Sequence, residues 1–308
     1  MLDLRRLRIL REISERGSIS AAAEALHYTQ PAVSRQVARL EDELGVDLVE
    51  RTPHGVVLTD AGRLLVRHAE DVLTRAARAE EEVRALAEGQ ARRIALGFFP
   101  SSAPIVRAAI VAARAELPGV EIAAREGEPA AVEEGLATGA LDLGLVFRDP
   151  DAPTGEDGSG LVREHLLDDA MHVALPVSHP RADADRVSMA DLAGERWGSG
   201  RTPDHPCSAM LTRALAATGA QATIAFEADD YGAVLELVAA GAGISLVPAI
   251  AIRPERADLR FPLLEGRYAR RVEIVFVDRD RRPDAHFAVV DLVRAVVRGV
   301  IPTEAVTP

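Results

Sequence analysis

Up to Gly89 the apolar residues of this chain recur at helical spacing with one short interruption, and beyond it short apolar runs alternate with helical stretches. A core of packed helices and a core of helix-covered sheet bury different kinds of face, so the change of period demands separate folding units. The length of 308 residues agrees with two or three. In the first part Leu4, Leu7, Leu10 and Ile13 recur every third residue between Arg5, Arg6, Arg8 and Arg11, an amphipathic helix that Gly17 stops. Ser18 stands where an N-cap belongs, ahead of a short helix over 19–26 whose Ala21, Ala22 and Ala23 allow close packing. After the turn His27-Tyr28, Thr29 can cap a third helix with Pro31 in its first turn, and Gly45 ends it.

On this third helix Val33, Val37, Leu40 and Leu44 form one inward stripe, which leaves Pro31, Ser34, Arg35 and Arg39 facing out and Gln30 projecting from the N-terminal end. Arg pairs bidentately with guanine and Gln with adenine, so this face suits base edges and phosphates. Glu41-Asp42-Glu43 would repel phosphates, so only the N-terminal half can enter a major groove. An ordinary surface helix of a small bundle fits the pattern equally well. Residues 47–59 add two short apolar runs around Thr52-Pro53-His54-Gly55, a hairpin in the position of a wing.

Five segments in order, Gly17-Ser18-Ile19-Ser20-Ala21-Ala22-Ala23, Thr29-Gln30-Pro31-Ala32-Val33-Ser34-Arg35-Gln36, Leu44-Gly45-Val46, Glu50-Arg51-Thr52 and Leu58-Thr59-Asp60-Ala61-Gly62, resemble the N-terminal domain of the LysR-type transcription regulators. The resemblance implies a DNA face built from Ser18, Ser20, Thr29, Gln30, Pro31, Ser34, Arg35, Arg39, Arg51 and His54. The family usually has aromatic residues at the positions of Ile19 and Val49, and Arg or Lys at that of His54, which predicts a weaker or pH-dependent phosphate grip at the wing.

A long helix is expected from Thr59 to about Glu88, in which Leu65, Ala69, Val72, Ala76, Ala79, Val83 and Leu86 alternate spacings of four and three. At roughly 1.5 Å per residue it spans about 45 Å, more than a compact domain needs. Leu65, Val72, Ala76, Val83 and Leu86 are therefore expected to meet a second chain; packing against the chain's own sheet is the rival reading. The expected domains are 1–59 (winged helix-turn-helix), 60–89 (linker and dimerisation helix) and 90–308 (effector-binding domain).

The remainder reads as strands at 94–98, 120–124, 141–147, 171–176, 223–227, 243–247, 259–264 and 272–277 with helices between, a βαβ rhythm that builds parallel sheets. The resemblance implies an α+β multi-domain chain whose C-terminal α/β domain has two lobes like a periplasmic binding protein, about 94–167 with 270–300, and about 168–269. Ligands of open α/β sheets sit beyond the strand ends near helix N-termini. That picks Ser101, Ser102, Glu128 and Arg148 on one lobe and Ser199, Arg201 and Thr202 on the other, a set suited to a small carboxylate or, given Glu128, a zwitterion; capping or a solvated surface is the plain alternative for each.

No nucleophile elbow, zinc helix or phosphate loop is present, so catalysis has no motif to rest on. A solute-binding transport protein would share the lobes but would need export, and the N-terminus shows no apolar signal core. No run reaches a membrane span. The single cysteine, Cys207, excludes an intramolecular disulfide and a multi-cysteine metal site, and reads more readily as a buried, inert thiol than as a redox centre. Net charge is -12, yet residues 1–67 hold ten Arg and ten acidic residues, so the acidity belongs to the C-terminal part. The expected setting is the cytoplasm, at the nucleoid. The expected partners are double-stranded DNA, a small-molecule effector, further copies of the chain as homodimer or homotetramer, and RNA polymerase, with no metal or cofactor.

Overall fold

The computed structural model describes residues 2–52, 55–88, 91–150, 160–192, 194–201, 206–219, 223–252, 255–277 and 284–300. Contacts divide the chain into two units, residues 1–90 with 138–140, and 91–137 with 141–308.

The first unit begins with α1 (Leu4–Arg16), whose N-cap Asp3 accepts a hydrogen bond from the Arg5 amide at 2.8 Å and whose end is turned by Gly17 at φ 64°. Next come α2 (Ile19–Ala25) and α3 (Gln30–Leu44), the latter closed by Gly45 at φ 70°. The antiparallel pair β1 (Val49–Thr52) and β2 (Gly55–Leu58) is the expected hairpin, and α4 (Asp60–Ala87) follows. Leu7, Leu10, Ile13, Ala22, Val33 and Leu40 are fully buried, so the stripe read along each short helix does face one core.

Two tertiary contacts fix the hairpin on the helices. The Val56 amide donates to the Gly17 carbonyl at 3.0 Å, and a Cβ at Gly55, where φ is 138°, would lie only 2.5 Å from that same oxygen. The Glu41 carboxyl accepts from the amides of Leu48 and Val49 at 2.8 and 3.2 Å, so an acid that reads as hostile to DNA instead ties the end of α3 to β1.

The seam of α4 needs a correction. Leu65 packs half-buried with Val66 against Leu10, Leu40 and Leu48, while Ala69 and Leu73 close on Leu7, so the first turns of α4 complete the winged core. Leu65 is thus covered within its own chain, and the outward apolar residues are Leu64, Val72 and Val83, at 49%, 42% and 68% exposure. Ala76 is half-buried, and the side chain of Leu86 lies outside the described residues.

The second unit runs β3 (Arg92–Phe98), α5 (Ala103–Glu116), β4 (Val120–Glu126), α6 (Pro129–Thr138), β5 (Leu143–Arg148), β6 (Leu161–Pro176), β7 (Arg186–Val187), β8 (Arg196–Ser199), α7 (Pro206–Ala216), β9 (Thr223–Glu227), α8 (Tyr231–Ala239), β10 (Ile244–Pro248), β11 (Leu259–Arg260), β12 (Leu263–Leu264), β13 (Ala269–Val277) and α9 (Asp284–Val300). Strands β4, β3 and β5 are parallel, as are β10, β8 and β9. Between these triplets lie β13 and β6, giving the continuous order β4-β3-β5-β13-β6-β10-β8-β9. Residues 161–170 of β6 pair with β13, and residues 171–174 with β10, so one sixteen-residue strand belongs to both lobes. Each lobe has its own core, one around Ile94, Leu145, Ile274 and Val293, the other around Trp197, Leu211 and Ile244.

The expected strand at 171–176 is only the second half of β6. Its first half, Leu161-Val162-Arg163-Glu164-His165-Leu166-Leu167-Asp168-Asp169-Ala170, hides its period behind charges that the fold pairs: Glu164 with Arg294 of α9, Asp168 with Arg271 at 3.4 Å, and Asp169 with Arg270 at 2.6 Å. The run at 259–264 is two short strands, broken at Phe261-Pro262.

Asp169 and Arg270 sit opposite one another on β6 and β13 and are 1% exposed each. Removing one partner of such a pair strands the other charge in the core, so Asp169→Ala is expected to cost this unit about 3–5 kcal/mol, and the double change Asp169→Leu with Arg270→Met to restore most of it. Urea unfolding followed by the fluorescence of Trp197, the single tryptophan, measures both; a double variant as unstable as Asp169→Ala would show that size and shape, not the stranded charge, set the loss.

Candidate functional site

Helix α3 carries the DNA-facing candidates. Thr29, Gln30, Pro31, Arg35 and Arg39 are exposed and Ser34 is half-buried. Thr29 makes no side-chain cap bond, which leaves its hydroxyl available. Ser20 is exposed on α2, whereas the Ser18 hydroxyl accepts from the Ala21 amide at 3.4 Å and so serves the helix end. The side chain of Arg51 and all of His54 lie outside the described residues.

Electrostatics sorts the arginines of this unit. Arg6 pairs with Glu43 at 2.6 Å and donates to the Gln36 side chain at 3.2 Å, Arg11 pairs with Glu15 and Arg16 with Glu12. The hydrogen bond from Arg6 holds the Glu43 carboxyl below its ordinary range, and that from Arg16 does the same for Glu12. Arg35 and Arg39 have no ion pair among the described residues. Arg6, Arg11 and Arg16 of α1 are neutralised by the chain itself, whereas Arg35 and Arg39 on α3 are left for an outside anion.

In the second unit the predicted effector residues part company. Ser101 is buried and accepts a hydrogen bond from Arg270 at 3.1 Å, while the Ser102 hydroxyl turns back to the Phe99 carbonyl at 2.7 Å. Arg148 pairs with buried Glu273 at 2.9 Å, and Arg201 is 73% exposed, its amide donating to Asp229 at 2.9 Å. Glu128 stands half-buried just before α6, and Thr202 lies outside the described residues. The two arginines expected to receive an anion therefore face carboxylates of their own chain.

What the structure does assemble is a polar group around β6 and β13. Arg270 donates twice to Asp169, packs its guanidinium 4.4 Å from the Phe147 ring and 5.3 Å from that of Phe99, and lies within electrostatic reach of Tyr231 and Cys207. Burial is the largest single influence and works against its charge, but Asp169, Tyr231 and Cys207 together hold it protonated. The free Oδ1 of Asp169 accepts from the Ile250 amide at 3.1 Å. Beside this group a cavity of roughly 30 Å³ is lined by Ser199, Cys207, Ser208, Asp229, Tyr231 and Ser245. Ser199 donates to Ser208 at 3.2 Å, and the Tyr231 hydroxyl donates to the Cys207 sulfur at 3.5 Å. Burial pushes the Tyr231 phenol well above its ordinary range, so it stays a donor. Among the described residues no cluster of three His, Cys, Asp or Glu is arranged to hold a metal. Of the predicted set, only Ser101 and Ser199 belong to this assembly; sequence reading missed Asp169 and Arg270, whose one signal was a charge just ahead of the apolar runs at 171–176 and 272–277, and Tyr231, which no signal marked.

A profile of the bacterial regulatory helix-turn-helix proteins of the lysR family matches residues 4–63, and the LysR substrate binding domain matches residues 87–298. The chain belongs to the LysR family. This LysR-type regulator is 32% identical over 262 residues to the DNA-binding transcriptional dual regulator OxyR of Escherichia coli K12, covering 83% of this chain and 82% of that protein. It is 29% identical over 261 residues to the regulator CatR of Pseudomonas putida, covering 84% and 87%. Its fold is similar to that of full-length CbnR in complex with target DNA, with a TM-score of 0.70 at 25% identity over 97% of this chain and all of that one. It is a DNA-binding transcription regulator with an effector-binding domain, and its relatives are regulators, not enzymes. Among the described residues no helix is long and apolar enough to cross a membrane.

A base-reading contact contributes roughly 1–3 kcal/mol of discrimination, whereas a phosphate contact weakens all sequences alike. Arg35→Ala in this LysR regulator is accordingly expected to lower its preference for the operator over random duplex as well as its affinity. Competition titration reads the ratio; an unchanged ratio places Arg35 on the backbone.

Proposed function

We propose that this regulator binds DNA as a pair of chains joined along the outer face of α4, and that a peroxide acting at Cys207 is its effector. The observation that carries the effector reading is the cavity itself. Its roughly 30 Å³ of room, where about 10–15 Å³ holds one water, suits a molecule of a few heavy atoms. Its walls offer hydroxyls from Ser199, Ser208 and Tyr231, and one nucleophile, the Cys207 sulfur. With Arg148, Arg201 and Arg270 each facing a carboxylate of the chain, an uncharged hydrogen-bonding ligand suits the site better than the carboxylate or zwitterion expected from the sequence. A relative from Escherichia coli O6:H1, 32% identical over 262 residues, is named a hydrogen peroxide-inducible genes activator.

In this reading the Cys207 thiolate attacks one peroxide oxygen, the O–O bond breaks, and the sulfur becomes a sulfenic acid as water leaves after protonation. The chain holds one cysteine, so the product cannot pass to an intramolecular disulfide. The added oxygen sits beside the Arg270 group and biases β6, the strand common to both lobes. Transcription control then runs through contact of the paired chains with RNA polymerase, in the cytoplasm at the nucleoid.

Stoichiometric hydrogen peroxide is expected to add one oxygen to Cys207 by peptide mass spectrometry and to shift the footprint on DNA flanking the gene, both absent in Cys207→Ser. A footprint that shifts equally in Cys207→Ser would move the effector elsewhere. Stabilisation by an organic acid, about 2.7 kcal/mol at a hundred times its dissociation constant, would restore the carboxylate reading.

For the pairing, Val72→Glu puts a charge opposite its symmetry mate across a two-fold axis. Sedimentation is expected to show monomer, with DNA affinity lost because one winged unit covers a half-site. An intact Val72→Glu dimer would place the interface off α4.

A further inference from the structure

The first unit contains one aromatic residue, Tyr28, and it is in water: its side chain is 48% exposed. Of the eleven aromatic side chains in the whole chain, only Tyr28 and Phe287 are exposed to this degree. A ring this large left out of a small core has no packing role there. Tyr231, by contrast, uses its hydroxyl inside the protein. The Tyr28 hydroxyl has no partner among the described residues.

The backbone around Tyr28 is nonetheless held. Its amide donates to the Ala23 carbonyl at 2.8 Å, and His27 before it is the one described non-glycine residue at positive φ, 57°. Left-handed backbone at such a residue is a conformation that surrounding structure must impose. The ring therefore emerges at a fixed place, immediately ahead of Thr29 and Gln30 at the N-terminal end of α3. In helix-turn-helix docking that end enters the major groove, so the residue preceding the N-cap stands at the groove rim, beside the sugar-phosphate chain. Tyr and Thr hydroxyls are regular donors to phosphate oxygens, and such contacts set the register in which neighbouring side chains meet the bases.

We propose that Tyr28 is a DNA-backbone contact: its hydroxyl donates to a phosphate oxygen at the groove rim, next to the Thr29 hydroxyl, and adds affinity that is the same for every sequence. A neutral donor displaces no counterion, which separates this role from that of an arginine.

The test is Tyr28→Phe in the full-length protein, titrated by fluorescence anisotropy against a random-sequence duplex and against the duplex it protects upstream of its own gene, at several salt concentrations. Loss of one hydrogen bond is expected to weaken both complexes equally, roughly three- to tenfold. The slope of log affinity against log salt is expected to stay that of the wild type, while Arg39→Ala lowers it. Thermal melting of Tyr28→Phe is expected to match wild type, since the hydroxyl has no internal partner. Unchanged affinity on both duplexes overturns the proposal. So does a changed ratio between them, which would make Tyr28 a base reader, or a lowered melting point, which would make it structural.

Discussion

The second unit depends on one buried ion pair. Arg270 and Asp169 lie where β13 faces β6, the strand common to both lobes, and neither charge has access to water. A buried pair is tolerable only when every remaining donor and acceptor is met. Here the demand is met by elements from different parts of the chain: Ser101 from the turn after β3, the Ile250 amide after β10, and the rings of Phe99 and Phe147. Satisfying one ion pair thus ties the turn after β3 and the turn after β10 to the strand that both lobes share. A change in charge or volume beside the pair bears on that same point.

The first unit rests on weaker but more numerous constraints. Gly17 ends α1 and offers its carbonyl to Val56, Glu41 ends α3 and takes two amides near β1, and Leu65 closes the core from α4. Each contact joins segments whose positions on DNA must agree, so the recognition helix and the hairpin are referenced to the same frame.

How much of this was legible follows from the range over which each feature is encoded. The three short helices and the hairpin were readable because spacing, Gly17, Ser18 and Gly45 act within a few residues, although Thr29 makes no cap bond. The first half of β6 was not, since its alternation is masked by Glu164, Asp168 and Asp169, whose partners lie more than 100 residues away. Arg148 and Arg201 were picked for being near strand ends, and nothing local announces Glu273 or Asp229 as their partners. The α4 seam misplaced Leu65 for a related reason: a heptad pattern shows which face is apolar, and Leu65 and Val72 share it, but only the fold decides which of them its own chain covers.

The sorting of arginines in the first unit has a consequence for how the regulator searches a genome. Up to residue 67 the unit carries no net charge, so its field is that of separated charges, among them the open cations Arg35 and Arg39 on α3, while three arginines of α1 are cancelled by their neighbours. A dipole's attraction falls off faster with distance than a monopole's and depends on which face is presented. Random stretches of duplex, met in random orientations, hold such a protein weakly, and fewer molecules are sequestered on the great excess of non-target sites. Occupancy of the operator is then set less by raw affinity than by how little of the protein is lost elsewhere, a regime in which a modest number of regulator molecules suffices.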